Sequence, residues 1–225
     1  MGCSAGHITE YLNEQPCIEE IFTFDVDRAF VEITRLKKEE LNLHKVKFVD
    51  HFSICETSDH PYEDNFFDII IVLAIVEHLP FENRHLYIDA YYRALKVGGI
   101  IGFWDTPNRY FFLDTHSTRL PFIQWFSPHF AYFYARLFRR LKGGSFPGFV
   151  RAGTGWRNAT YYELLPKTLM IDVKDISDEI GYSYKNSFTK LLTTLCKLFA
   201  RLCNVPAPFF TPALNIVLRK THDYE

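Results

Sequence analysis

The strongest constraint on the fold is a nearly unbroken apolar run at residues 67–76, which reads FDIIIVLAIV. A strand that is apolar on both faces needs cover on both faces, which is typical of a strand at the centre of a parallel sheet. Strand-like runs and helical patterns alternate around it, with strands at 20–24, 46–49 and 100–104 and helices at 7–13, 28–41 and 82–95. This alternation indicates βαβ units, so the sequence predicts an α/β fold.

Composition argues against several classes of protein. The formal net charge of −2 provides no basic face for a polyanion, so we predict no nucleic-acid partner. The five cysteines show no CxxC spacing, which argues against a zinc site or a disulfide framework and favours a reducing cytosol. No uninterrupted apolar stretch is long enough to span a bilayer. We therefore expect a cytoplasmic protein, and 225 residues suit one domain.

The chain opens with a loop of small residues that leads directly into a helical pattern. Gly2 and Gly6 bracket the loop, and the helix is predicted from His7. Small residues let backbone N–H groups approach a ligand, and a helix N-terminus favours negative charge. Asp25 follows at the tip of the next strand, about twenty residues on, where a carboxylate suits the diol of a ribose. The glycines alone fit a structural turn equally well, but together with Asp25 they predict a nucleoside-cofactor site.

Five short motifs follow one another along the first half of the chain. They are Gly2–Gly6, Phe24–Asp27, Pro61–Asp68, Val76–Leu79 and Leu95–Gly99. In this order and spacing they resemble the class I S-adenosylmethionine-dependent methyltransferases of the type 11 kind, over residues 1 to about 108. Val97 replaces the proline that is usual in the last motif. An NAD-dependent Rossmann enzyme is the competing interpretation, and Glu77–His78 favours the methyltransferase.

The resemblance implies a Rossmann-like, doubly wound, mostly parallel sheet with helices on both faces, and S-adenosylmethionine as the cofactor. Asp25 would hold the ribose hydroxyls, and Val26 would pack near the adenine. The adenine edge would be contacted by Glu56 or by Asp50, of which we favour Glu56. The other residues that the resemblance places at the cofactor are Gly2, Cys3, Ser4, Gly6 and Glu77.

Three residues are candidates for the chemistry: His78, Asp105 and His116. A general base is needed only when the acceptor is a hydroxyl or a protonated amine, and His78 is the best candidate for it. The alternative is a histidine at a helix start that is hydrogen-bonded to the backbone. Some relatives bind a metal through a Glu-x-x-Glu-His pattern. Here the first position is Ala74, so we predict no metal.

The chain is predicted to form one domain in three segments. Residues 1–108 are the cofactor-binding core. Residues 109–158 are an aromatic-rich insertion after the predicted strand at 100–104, which is the family's strand five, and this insertion serves as substrate pocket or lid. Residues 159–225 supply C-terminal helices and a closing strand. Asp114 and His116 lie in a polar cluster within the insertion, although Asp114 suits a simple turn equally well. The family places a strand ending in an acid before the glycine motif. We therefore expect that the first strand is missing, that the chain is truncated, and that it binds the cofactor weakly or not at all.

Two basic, aromatic-rich helices are predicted at 128–141 and 188–202. Such helices can lie on an anionic membrane, although packing on their own domain is the commoner arrangement. The predicted function is methyl transfer from S-adenosylmethionine to an oxygen or nitrogen of a small-molecule, glycan or lipid-type acceptor, with peripheral membrane contact as a possible partner interaction. The alternative is a non-catalytic, methyltransferase-like partner protein.

Overall fold

A computed structural model describes residues 4–51, 62–141, 144–150, 155–180 and 187–223 of the chain. The chain forms two compact units, Met1–Ser58 and Asp59–Glu225, which are called unit 1 and unit 2 below. Each unit has its own sheet and its own packing.

Unit 1 alternates helix and strand. Its elements are α1 (His7–Glu14), β1 (Ile21–Asp25), α2 (Arg28–Glu40) and β2 (Val46–His51). The strands β1 and β2 pair in parallel, with Ile21 beside Val46. These two residues pack with Val31 and Leu43 in a small buried core. Helix α2 starts where the Asp27 carboxylate accepts a 2.9 Å hydrogen bond from the Ala29 N–H, as expected for an aspartate N-cap.

Unit 2 is built on a four-stranded sheet with the order β3-β4-β6-β5. Its strands are β3 (Phe67–Leu73), β4 (Leu95–Pro107), β5 (Ile171–Asp175) and β6 (Ala213–Asp223). Strand β3 is parallel to β4, whereas β6 is antiparallel to both β4 and β5. Its helices are α3 (Arg84–Ala94), α4 (Pro128–Leu137), α5 (Phe146–Val150), α6 (Ser177–Ile180) and α7 (Ser187–Leu202), with 3₁₀ turns at Val76–His78, Ile123–Trp125 and Tyr161–Leu164.

A buried lysine joins the last strand to the end of helix α3. The Lys220 ammonium lies 3.1 Å from the Tyr92 carbonyl and 3.0 Å from the Leu95 carbonyl, and 2.6 Å from the Asp223 carboxylate. The last carbonyls of a helix have no partner within the helix, and a cation there is favourable. Lys220 therefore fixes β6 against α3 although its side chain is fully buried.

The predicted α/β, Rossmann-like class is confirmed, and the C-terminal part of the chain completes the same sheet as β3 and β4. Two predictions differ in detail. The apolar run ends as a strand at Leu73, because Ala74 takes a left-handed conformation with φ of 49°. Among the described residues β3 pairs with β4 alone, so it is an edge strand of this sheet and not a central one, and Ile69 is 47% exposed. The division of a single domain into 1–108, 109–158 and 159–225 stays a prediction.

Candidate active site

In unit 1 the acid at the end of β1 holds the glycine loop. The buried Asp25 carboxylate accepts a 2.8 Å hydrogen bond from the Ser4 N–H and a 3.0 Å bond from the Asp27 N–H. The Thr34 hydroxyl donates to the Ser4 carbonyl at 3.2 Å. The loop is therefore fixed from β1 and from α2, and the structure brings Ser4 and Asp25 together as candidate cofactor residues.

Gly6 must be a glycine for two reasons. Its φ of 78° lies in the left-handed region, and a Cβ atom there would lie 3.2 Å from the Thr34 hydroxyl oxygen. Helix α1 begins at the next residue, so the loop delivers a helix N-terminus beside a buried acid. Val26, directly after Asp25, is half exposed. This arrangement fits part of a nucleoside cofactor: a close backbone approach and a carboxylate for the ribose.

The other predicted cofactor residues of the N-terminal region cannot be placed in the same way. Gly2, Cys3 and Glu56 lie outside the described residues. The backbone of Asp50 lies in β2, paired with Phe24. The assignment of the adenine edge to Glu56 or Asp50 therefore stays a prediction.

In unit 2 the parallel strands β3 and β4 end at the same edge of the sheet, and a left-handed residue directly follows β3 and another lies two residues before the end of β4. Ala74 has φ of 49° and Asp105 has φ of 53°. The Ala74 N–H donates to the Trp104 carbonyl at 2.9 Å, and the Asp105 N–H donates to the Asn215 side chain at 2.9 Å. A residue with a Cβ atom in this conformation costs about 1–2 kcal/mol, and such strain gathers at functional sites. Ligands of open α/β sheets bind at this edge.

Glu77 lies in the 3₁₀ turn after β3 and carries the most perturbed carboxylate at this edge. Its side chain is fully buried, and neither carboxylate oxygen accepts a hydrogen bond from another of the described residues. Burial raises the pKa of Glu77 to about 7 and the charge of Asp105 adds to the rise, whereas the N–H of its own backbone and the charge of Arg84 oppose it. The group can therefore take up or release a proton near neutral pH.

Two histidines stand next to this carboxylate. His78 follows Glu77 in the turn, and its Nε2 lies 3.9 Å from Glu77 Oε1. The rings of His78 and His116 are 4.9 Å apart and nearly perpendicular, at 69°. Gly155 closes the pair from one side, since a Cβ atom on it would lie 2.8 Å from His116 Cδ2 and 3.3 Å from His78 Cε1. The structure thus brings together His78 and His116, while Asp105 is exposed at the end of β4.

The loop that carries His116 is organised by Asp114. This buried carboxylate accepts backbone N–H bonds from His116, Ser117 and Thr118, and hydroxyl bonds from Ser117 at 2.8 Å and Thr118 at 2.7 Å. Burial alone raises the pKa of Asp114, but the bonds from Thr118, Ser117 and His116 outweigh it, so the net pKa is lowered. Asp114 therefore builds the turn that positions His116, which matches the simpler of its two interpretations.

A charged network that the sequence did not reveal lies behind the same edge. Arg109 donates to both oxygens of Glu163 at 3.0 Å, and the buried Arg84 donates to Glu163 at 3.3 Å and to the Glu77 carbonyl at 3.5 Å. Glu163 also forms a capping box with Thr160, which the sequence pattern Thr-x-x-Glu indicates. The network ties β4, α3 and the turn after residue 160 to the segment that holds Glu77.

Comparison with known families identifies the N-terminal part of the chain. Residues 1–103 match the family model described as a methyltransferase domain. This segment is therefore similar to the methyltransferase domains of that family. Their cofactor is S-adenosylmethionine, which agrees with the glycine loop and with the acid that holds it. Comparison with curated proteins gives no match.

Three solved structures illustrate what the chain is similar to. The cyclase SpnF is 27% identical over 45% of this chain and 35% of its own, with a TM-score of 0.39. The YcgJ protein from Bacillus subtilis is 22% identical over 48% of this chain and 42% of its own, with a TM-score of 0.41. A SAM-dependent methyltransferase from Aquifex aeolicus is 18% identical over 60% of this chain and 68% of its own, with a TM-score of 0.42. The chain spans less than half the length of the first two.

Proposed function

We propose that the protein transfers a methyl group from S-adenosylmethionine to an oxygen or nitrogen of a small-molecule, glycan or lipid-type acceptor. The observation that carries the proposal is the Ser4–Gly6 loop held by Asp25, within the segment that matches the methyltransferase domain. Loop and acid are the two features that a nucleoside cofactor needs from this end of the fold.

The residues of unit 1 and the residue of unit 2 have separate proposed tasks. Ser4 and Gly6 would lie against the methionine end of the cofactor, and Asp25 would accept hydrogen bonds from the ribose hydroxyls. The bound cofactor supplies an electrophilic methyl group on a sulfonium. Methyl transfer is an in-line displacement, so most of the rate enhancement comes from alignment. His78, whose side chain is 38% exposed, would take the proton that a hydroxyl or ammonium acceptor releases.

The segment after β4 supports an acceptor with an extended apolar or sugar surface. Phe112, Phe122 and Trp125 are exposed and form a continuous row, with ring centroids 6.1 and 5.1 Å apart. The row is anchored because the Trp125 indole donates to the Arg109 carbonyl at 2.5 Å. Aromatic rings of this kind contact sugar faces and acyl chains at little entropic cost. We place the acceptor along this row.

Helix α4 supports a peripheral contact with a lipid surface. Its alanines, Ala131 and Ala135, face the core, where they pack with Ile123 and Trp156. Its large apolar side chains face outward: Phe130, Phe133, Leu137 and Phe138 are each more than half exposed. Arg136, Arg139 and Arg140 are exposed and form no ion pair within the described ranges. Exposed apolar groups interleaved with unneutralised arginines complement an anionic membrane surface.

Helix α7 shows the same character. Its exposed apolar residues recur at helical spacing, and they are Phe188, Leu191, Leu195, Leu198, Phe199 and Leu202. Ala200 is its one residue that is buried. Across the described ranges, no helix is both long and apolar enough to cross a membrane. The proposed contact is therefore on the surface of the bilayer.

Cofactor binding tests the methyltransferase proposal. Titration calorimetry of the purified chain with S-adenosylhomocysteine is expected to show one weak site. Asp25→Asn should weaken the binding of S-adenosylhomocysteine at least tenfold, or by about 1.4 kcal/mol. The reason is that an amide accepts fewer hydrogen bonds than a carboxylate. Asp27→Asn is the matched control, since asparagine also caps α2. Equal affinity of the two variants would contradict the proposed site. A wild-type dissociation constant in the low micromolar range would refute the expectation of weak binding.

The acceptor class is tested by incubating the chain with S-adenosylmethionine and fractionated polar, glycan and lipid extracts. Mass spectrometry should show a methylated product in one fraction, and no product in any fraction would contradict the enzyme and favour the non-catalytic alternative.

Lipid contact is tested separately, by co-sedimentation with vesicles. One set contains phosphatidylcholine alone, and the other also contains about 30% phosphatidylserine, which makes the surface strongly anionic. Binding should require phosphatidylserine and should be lost in Phe133→Ser/Leu137→Ser. Tyr11→Ser, at an equally exposed aromatic on α1, is the control and should bind as wild type. Absence of sedimentation with anionic vesicles would refute the contact.

A further inference from the structure

Three metal-ligating side chains converge at the carboxyl edge of the unit 2 sheet. One ligand atom each from Glu77, His78 and His116 can be chosen so that all three lie within 4.8 Å of one another. Glu77 and His78 come from the turn after β3, whereas His116 comes from the loop after β4. The sequence predicts no metal because Ala74 breaks the Glu-x-x-Glu-His pattern. That prediction did not include His116 as a ligand, because nothing in the sequence places this residue beside His78.

The Glu77 carboxylate gives a second, independent indication of a ligand. It is fully buried, yet neither of its oxygens accepts a hydrogen bond from another residue within the part of the chain that the structure describes. A buried polar group without a partner is costly, and a buried charge is paired or coordinates a metal. Arg84, whose charge acts on Glu77, directs its Nη1 to Asn158 and Glu163 and its Nη2 to the Glu77 backbone carbonyl. The carboxylate itself is left for another ligand.

The surroundings hold the two histidines in place. Asp114 fixes the backbone of His116 through the N–H bonds of residues 116–118. Gly155, with φ of 71°, lies against both rings and leaves no room for a side chain. Preorganised ligands of this kind bind an ion without the cost of ordering a loop.

We propose that Glu77, His78 and His116 bind a divalent first-row metal ion, with Zn²⁺ as the best match. Two imidazole nitrogens and one carboxylate oxygen are a donor set that suits Zn²⁺, and three protein ligands leave a fourth position open for a small ligand. In a tetrahedral zinc site the ligand atoms lie about 3.4 Å apart. Side-chain rotations that shift the ligand atoms by about 1 Å would bring them to this separation. Ion binding does not depend on the proposed methyl transfer.

The role of the ion does rest on the proposed function. A hydroxyl acceptor that occupies the open position loses its proton more easily, because the ion stabilises the alkoxide. With His78 and His116 as ligands of the ion, His78 no longer serves as the base proposed above. Asp105, exposed near the end of β4 and close enough for its charge to act on Glu77, would then receive the proton.

The experiment is metal titration of the full chain without cofactor or acceptor. After treatment with EDTA and desalting, ZnCl₂ is added in a calorimeter, and CoCl₂ in a parallel sample reports coordination through its visible absorption. We expect one site in the wild type. His116→Ala and Glu77→Gln should each weaken it at least about 100-fold and abolish the absorption of bound cobalt. His129→Ala, at an exposed histidine stacked on Phe146, is the control and should bind as wild type.

Circular dichroism confirms that each variant is folded. Should His116→Ala fail to fold, Glu77→Gln and a thermal-shift assay of the wild type with and without zinc give the same information. A stoichiometry below about 0.2 zinc ions per chain would overturn the proposal. Equal zinc affinity in Glu77→Gln and in the control His129→Ala would also overturn it. Because no methyl donor is present, failure here is distinct from failure of the methyltransferase proposal.

Discussion

Asp25 of unit 1 and Glu77 of unit 2 occupy comparable places but have opposite environments. Asp25 is the last residue of a strand and Glu77 follows a strand closely, and both are buried. Both Asp25 oxygens accept N–H bonds from other residues, whereas neither Glu77 oxygen accepts a hydrogen bond from another of the residues described. A satisfied carboxylate builds the loop around it. An unsatisfied one makes the fold less stable unless a proton or a cation joins it.

Asp114, like Asp25, is a buried carboxylate whose oxygens accept hydrogen bonds. Its removal should have the largest effect on the free energy of unfolding. Asp114→Ala leaves five donors of the His116 loop without their acceptor, so the free energy of unfolding should fall by about 3–4 kcal/mol. Urea denaturation measures the change. Asp68→Ala, at an exposed ion pair with Lys96, should cost less than about 0.5 kcal/mol. Equal losses in the two variants would show that the loop bonds do not contribute.

Glu77→Gln tests the carboxylate that lacks hydrogen bonds. The measurement is the pH dependence of protein stability in the presence of EDTA. The pKa of Glu77 rises from 4.5 to about 7 on folding, so the folded state holds the proton more tightly. Its contribution to stability is complete below pH 4.5 and is lost as the pH rises through about 7, a decline of about 3 kcal/mol. The decline should be absent in Glu77→Gln and retained in the exposed control Glu82→Gln. Parallel curves of unfolding free energy against pH for wild type and Glu77→Gln would show that Glu77 does not cause the decline.

Asp25→Asn tests whether a satisfied carboxylate is needed as a charge. The substitution keeps the volume but weakens the bonds from Ser4 and Asp27, so unfolding should become easier by about 1–2 kcal/mol. Asp27→Asn again serves as the comparison, with an expected change within about 0.5 kcal/mol. Thermal unfolding followed by circular dichroism measures both. A neutral Asp25→Asn would mean that an amide holds the loop as well as a carboxylate does.

Gly155→Ala has the smallest expected effect on stability and sharpens the comparison at the histidines. A methyl group at φ of 71° costs about 1 kcal/mol and displaces His116. Gly144→Ala is matched, since Gly144 has φ of 67° and open space around its Cβ position. Gly155→Ala should lose somewhat more stability than Gly144→Ala, because only its methyl group meets a neighbouring side chain, and zinc affinity should fall about tenfold in Gly155→Ala alone. Equal zinc affinity in both would show that Gly155 does not position the rings.

The predictable parts of the fold are those encoded locally. The helices and strands of unit 1, helix α3 and the Thr160–Glu163 capping box follow from periodicity and from short-range patterns. Strand β5 was not predicted, because its sequence Ile-Asp-Val-Lys-Asp carries three charges in five residues at the edge of the sheet. Helix α4 is predicted as a helix, but its large side chains face outward and its alanines inward, which the apolar pattern alone does not indicate.

The sequence singles out the residues of the candidate site, whose roles stay predictions, but it does not indicate how they group in space. Asp25 lies beside the glycine loop because a strand end and a helix start meet at one edge of the sheet. The approach of His116 to His78, with Gly155 against both, joins segments far apart in the chain. No spacing rule encodes such contacts. They depend on how Asp114 folds its own loop, which only the three-dimensional structure shows.

The position of Lys220 has a consequence for synthesis of the chain. Strand β6, which carries it, lies between β4 and β5, and its ammonium satisfies carbonyls at the end of α3. Until residue 220 has left the ribosome, those carbonyls and one edge of β4 lack their partners. Unit 1 can form as it emerges, because its strand pair is made of neighbouring segments. Unit 2 completes its sheet only after translation has passed β6, so it depends longer on protection from aggregation.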